Sequence, residues 1–87
     1  MFAILAYDVG AKRAPKVMKI AKKYLTHVQR SVFEGYLTEG KYRRLQQELA
    51  EVIIPEKDSI VFYRADNGKN VLKAELGTSE FREPYLI

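Results

Sequence analysis

The chain has no cysteine, no tryptophan and a single histidine, and each absence removes a class of chemistry. Without cysteine there are no disulfides, no thiolate metal sites and no cysteine nucleophile. With only His27, neither a Ser-His-Asp triad nor a histidine-rich zinc site can be assembled within one chain. A lone imidazole in a strand-like stretch is read here as a packing or hydrogen-bonding residue. Phosphate-cradling glycine loops are missing too: Gly10 stands alone after the first apolar run, with neither a Walker pattern nor G-x-G-x-x-G behind it. That argues against nucleotide-cofactor chemistry. The apolar run Met1 to Tyr7 is too short to span a bilayer, lacks a basic region before it and is closed by Asp8, so it reads as neither signal peptide nor membrane span. A chain without cysteine fits a reducing cytosol, and a cytoplasmic location is expected.

Acidic residues are also unevenly scarce. Between Val9 and Phe33 there are none, while Lys12, Arg13, Lys16, Lys19, Lys22, Lys23 and Arg30 all fall there; every acidic residue except Asp8 comes later. Superimposed on a formal charge of +4, this asymmetry has the form of an electrostatic footprint for phosphate. Lys12, Lys16, Lys19 and Lys23 are spaced by four, three and four, so those within a helix share one stripe. Solvated surface is the plainer reading of such a stripe. Contacts to a phosphate backbone would be indifferent to base sequence and strongly salt dependent.

At 87 residues the chain is expected to form one domain over 1–87, with a thin core that association would help to stabilise. Phe2 to Tyr7 is a continuous apolar run of strand length. From Ala14, apolar residues at Val17, Met18, Ala21, Tyr24 and Leu25 predict a helix of about three turns, with Pro15 in the tolerant first turn. Val28 to Tyr36 alternates as one second strand. Thr38 is placed to cap a second helix carrying Tyr42, Leu45, Leu49 and Val52, which Pro55 stops. Asp58 to Arg64 and Val71 to Leu76 then read as a hairpin around Asp66-Asn67-Gly68-Lys69. This α+β order approaches a ferredoxin-like plait of the β-α-β-β-α-β type with an extra C-terminal strand. The segment 78–87 reads as a tail whose short, largely apolar end, Glu83-Pro84-Tyr85-Leu86-Ile87, would pair with a partner subunit.

Asp8 is the residue best placed for chemistry, because it ends a buried strand, where a rigid element can present a carboxylate to the loops. Capping of the turn at Gly10 is the competing explanation. One carboxylate is poor equipment for hydrolysis, but a two-fold dimer with Asp8 near its axis would bring two together, and two such anions suit a hard cation such as magnesium or manganese. Phe33 and Tyr36 are aromatics capable of stacking on bases, with packing as the alternative role. The aromatic signature of an RNA-recognition motif is absent.

Tyr7-Asp8-Val9 closing the first strand, a basic first helix, Gln29-Arg30-Ser31-Val32-Phe33-Glu34-Gly35, a leucine-spaced second helix and Asp58-Ser59-Ile60-Val61-Phe62-Tyr63 together resemble the small CRISPR-associated adaptation protein family. This is the second of the two core spacer-acquisition proteins, and the likeness spans nearly the whole chain. The resemblance implies a ferredoxin-like homodimer holding magnesium at its interface through Asp8, with the larger CRISPR integrase and nucleic acid as partners. It implies either a metal-dependent endonuclease acting on single-stranded RNA or double-stranded DNA, or a non-catalytic scaffold that holds spacer DNA for the integrase. By position, Asp8 and Ser31 are the expected catalytic residues and Asp8 the expected metal ligand; Tyr7, Lys12, Arg13, Lys16, Lys19, Arg30 and Phe33 are expected to meet nucleic acid. The loop at Gly10-Ala11 lacks the acidic or polar residue that many members carry there.

Overall fold

The computed structural model describes residues 1–66 and 70–78. Five strands and two helices follow in the order β1 (Phe2–Asp8), α1 (Ala14–Tyr24), β2 (Thr26–Gln29), β3 (Val32–Tyr36), α2 (Glu39–Ala50), β4 (Ser59–Asp66) and β5 (Asn70–Gly77). The sheet order is β2-β3-β1-β4-β5 with every neighbouring pair antiparallel. Its first four strands and two helices form the ferredoxin-like plait, and β5 adds the extra C-terminal strand.

One expectation is corrected. The alternating stretch through Val28 to Tyr36 is not one strand: it breaks at Arg30-Ser31 into the hairpin β2–β3, with a bulge between His27 and Gln29. A two-residue turn flanked by alternating β-formers on both sides leaves little mark on a pattern of period two, so the break was hidden. The hairpin supplies the strand needed to complete the plait, and β1 becomes a central strand paired with both β3 and β4. The expected turn at 67–69 and the tail from 79 onward lie outside the described residues; Asp66 pairs with Asn70.

Alternation along the strands divides the sheet into two faces. Ala3, Leu5, Tyr7, Phe33, Ile60 and Phe62 join Val17, Ala21, Leu45 and Leu49 in the core, so both helices cover the same face. Phe2, Ile4, Ala6 and Asp8 point the other way, and the register lines them up with Val32, Glu34 and Tyr36 on β3 and with Ser59, Val61, Tyr63 and Ala65 on β4. On that second face Tyr36 is 81% exposed and Val71 67% exposed.

The helices start as their sequences imply. Thr38 caps α2, its hydroxyl accepting from the Lys41 amide at 3.1 Å, and Glu39 occupies the electropositive first turn. Helix α1 has Pro15 in its first turn and Lys22 and Lys23 in its last, where cations complement the helix dipole. No described helix is long and apolar enough to cross a membrane.

Candidate metal and nucleic-acid site

Asp8 is the last residue of β1 and the one exposed residue on that strand. It lies opposite Ser59 on the sheet face away from the helices. Among the described residues its carboxylate makes no hydrogen bond or ion pair. An uncommitted carboxylate at the end of a central strand combines a fixed backbone with free oxygen ligands. Immediately before it, the Tyr7 amide donates to the Ser31 carbonyl at 3.1 Å, carrying the β1–β3 pairing one step past its last paired residues, Ala6 and Val32. Ser31 and the exposed Arg30 therefore sit at the same end of the sheet as Asp8, and together with Gln29 and Val32 they line an open depression. Among the described residues no group of three or more His, Asp or Glu side chains could hold a metal ion. Among the described residues, Asp8 is the carboxylate without a protein partner at this end.

The basic residues divide into two sets. Lys12, Lys16 and Lys19 are exposed; only the latter two lie within α1, and Lys12 belongs to the connection before it. Lys23, at the end of the stripe, is bonded to Glu48 on α2. Arg13 turns inward, with its side chain only 21% exposed.

Two expected nucleic-acid contacts have moved into the core. Phe33 has no solvent-accessible surface: its ring stacks on His27 at 4.5 Å and faces Tyr7 at 6.3 Å. A base cannot reach it in this fold, because β3 sends alternate side chains to the helix face and Phe33 is on that side. Tyr7 is likewise buried, and burial raises its phenol pKa. His27 has the packing role expected of it, with its Nε2 donating to the Arg30 carbonyl at 2.9 Å while the ring covers Phe33.

The residue that sequence reasoning passed over is Asp58. It is fully buried just ahead of β4. Its Oδ1 accepts from the Gly10 amide at 2.9 Å and from Arg13 Nη2 at 2.8 Å; its Oδ2 accepts from Arg13 Nε at 2.5 Å and from the Ile54 amide at 2.8 Å. Arg13 and the two amides hold this carboxyl well below the usual carboxylate range, against the opposing effect of burial. The pattern that could have revealed it is the mirror image of Asp8: an aspartate opening an apolar strand rather than closing one.

A ferredoxin-like plait with a free aspartate at the end of its central strand, exposed lysines on and before its first helix and a sheet face that neither helix covers is the class of molecule these features define. The family described as CRISPR associated protein Cas2 matches residues 1–71. Among similar proteins, the CRISPR-associated endoribonuclease Cas2 of Thermotoga maritima is 41% identical over 87 residues, spanning all of both chains. That of Dictyoglomus turgidum is 44% identical, again over the full length of both. The solved structure of Streptococcus pyogenes Cas2 superposes with a TM-score of 0.70 at 32% identity, covering 76% of this chain and 87% of that one. A hypothetical protein from Thermus thermophilus, TT1823, superposes with a TM-score of 0.71 at 28% identity, covering 85% of this chain and 92% of that one. The chain belongs to the CRISPR-associated Cas2 family.

Proposed function

We propose that this chain is a CRISPR-associated endonuclease of spacer acquisition that works as a homodimer, uses magnesium or manganese held by Asp8, and acts on single-stranded RNA or double-stranded DNA. The observation that carries the reading is Asp8: an exposed carboxylate without a protein partner among the described residues, fixed at the end of a strand paired on both sides. Relatives of full-length similarity are named endoribonucleases, which supports hydrolysis of a phosphodiester.

The donor set fits a hard divalent cation. Magnesium is bound through one or two carboxylates and keeps several waters, so a pair of Asp8 carboxylates from two copies is sufficient. Bound there, the cation supplies charge neutralisation to a phosphodiester under attack. The residues around it have separate tasks. Ser31 offers a hydroxyl at the same end of the sheet, and Lys12, Lys16, Lys19 and Arg30 hold the backbone through salt-sensitive phosphate contacts. Tyr7 and Phe33 support the strand ends from within the core.

Dimerisation through the face away from the helices is supported by its composition. Phe2, Ile4, Ala6, Val32, Tyr36 and Tyr63 form a largely apolar face that neither helix covers, with Glu34 opposite Ile4 as its charged member and Asp8 at its end. An isologous contact there would bring the two copies of Asp8 together. The larger integrase of the same CRISPR system is the expected partner of that dimer.

The experiment is cleavage of labelled single-stranded RNA and duplex DNA by wild type and Asp8→Ala, each with magnesium, manganese or EDTA. Metal-dependent cleavage that disappears in Asp8→Ala is expected, and it names the substrate. Absence of cleavage by wild type, with salt-sensitive DNA binding intact, would instead assign the chain to holding spacer DNA without cutting it.

A further inference from the structure

We infer that the buried Asp58 and the half-buried Arg13 form a positioning pair that holds the metal-binding carboxylate of Asp8 in place, so that Arg13 acts on the protein interior rather than on nucleic acid. The inference rests on the reading of Asp8 as the ligand of a divalent cation, and it names what keeps that ligand in register.

The geometry runs through Gly10, two residues beyond Asp8. The Gly10 amide is held by Asp58 Oδ1 at 2.9 Å, and its carbonyl accepts from the Arg13 and Ala14 amides at 2.9 and 3.0 Å. Gly10 is thus the pivot between the end of β1 and the start of α1. On the other side of Asp8, the Tyr7 amide is held by the Ser31 carbonyl. Asp8 sits between these two anchors, one provided by the sheet and one by Asp58.

Asp58 can hold Gly10 only if its charge is met. A buried carboxylate without compensation is costly, and an ionised carboxylate has roughly four lone-pair sites to fill. Arg13 fills two of them as a fork while the Gly10 and Ile54 amides take the others. A buried ion pair is often replaceable by apolar side chains without loss of stability. An apolar replacement here, however, would leave two backbone amides without an acceptor, so what the pair supplies is a defined path for the chain. A metal ligand held less rigidly binds its ion less well, and outer partners of metal ligands typically contribute 10- to 100-fold in affinity. Arg13 remains partly exposed, yet its guanidinium is spent on Asp58, whereas Lys12, Lys16 and Lys19 are exposed residues.

The test is manganese binding, followed by the electron paramagnetic resonance of the free ion, for wild type, Asp8→Ala, Asp58→Asn, Arg13→Gln and Arg13→Lys, with folding checked by circular dichroism. Asp8→Ala is expected to abolish binding. Asp58→Asn and Arg13→Gln should each weaken it by about 10-fold, the double variant should be little worse than either single one, and Arg13→Lys should recover part of the loss. The salt slope of duplex binding should be unchanged in Arg13→Gln. If Asp58→Asn does not fold, Arg13→Gln decides alone. Wild-type manganese affinity in folded Asp58→Asn or in Arg13→Gln, with Asp8→Ala still inactive in binding, overturns the positioning role and leaves the metal site standing. A shallower salt slope with unchanged manganese affinity in Arg13→Gln returns that residue to the phosphate surface. Retention of manganese by Asp8→Ala overturns the metal site and this inference with it.

Discussion

Asp8 and Asp58 flank one end of the β1–β4 pair and show how environment sets the task of a side chain. Asp8 is exposed and free of protein partners among the described residues, whereas Asp58 is fully buried with every acceptor position taken. The pKa of Asp58 is depressed first by its bond to Arg13 and then by the Ile54 and Gly10 amides. A carboxyl depressed in the folded state contributes stability that is present above its unfolded value of about 3.9 and is lost as pH falls from there toward the folded value. Asp58→Asn, which keeps the shape but not the charge, should therefore lower stability by about 2 kcal/mol at neutral pH. The difference from wild type should stay constant down to about pH 4 and shrink below it. Urea denaturation of both proteins between pH 7 and pH 3 measures this, and a gap that widens on acidification would contradict it.

Elements meet at the same residue. The Asp58 carbonyl accepts from the Thr78 amide at 2.9 Å, directly after β5, and Ser59 Oγ donates to the Thr78 carbonyl. Gly77 makes this approach possible: its φ is +83°, and a methyl group there would collide with the Asp58 carbonyl oxygen. Gly77→Ala should accordingly cost about 1–3 kcal/mol and release the end of β5, visible as a lower Tm and faster amide exchange at Thr78. An unchanged Tm would show that the chain takes another path here without strain. The β2–β3 hairpin has the complementary role on the opposite side of β1, since its turn carries Arg30 and Ser31 to the Asp8 end of the sheet.

For the whole molecule, the division of labour is between faces. Both helices pack on one side of the sheet, where the core lies, and the other side presents Phe2, Ile4, Ala6, Tyr36 and Tyr63. If that side joins two copies, a charge at its middle should separate them. Ile4→Arg is expected to convert a dimer to a monomer in sedimentation while leaving the helix-side core intact, and to weaken manganese binding because each copy would then offer a single Asp8. A dimer that persists in Ile4→Arg would assign the interface to another surface, such as the edge of β5.

The sequence by itself determined the elements and the candidates for chemistry. Both helices, β1, β4 and β5 follow from apolar periodicity, from Pro15 and Pro55 and from the Thr38 cap, all of which act over a few residues. The placement of Asp8 at the end of an apolar run, and the lysines that follow it, were legible for the same reason. Tertiary structure decided what no short window contains. It split Val28 to Tyr36 into a hairpin, since a tight turn between two alternating strands does not disturb the alternation. Pairing β3 to β1 turned Phe33 into the core, because the side a strand residue faces depends on its partner's register. It also brought Asp58 to Gly10 and Arg13 across more than forty positions of chain. A buried carboxylate and an exposed one are the same letter in a sequence, and only the fold determines which of them water can reach.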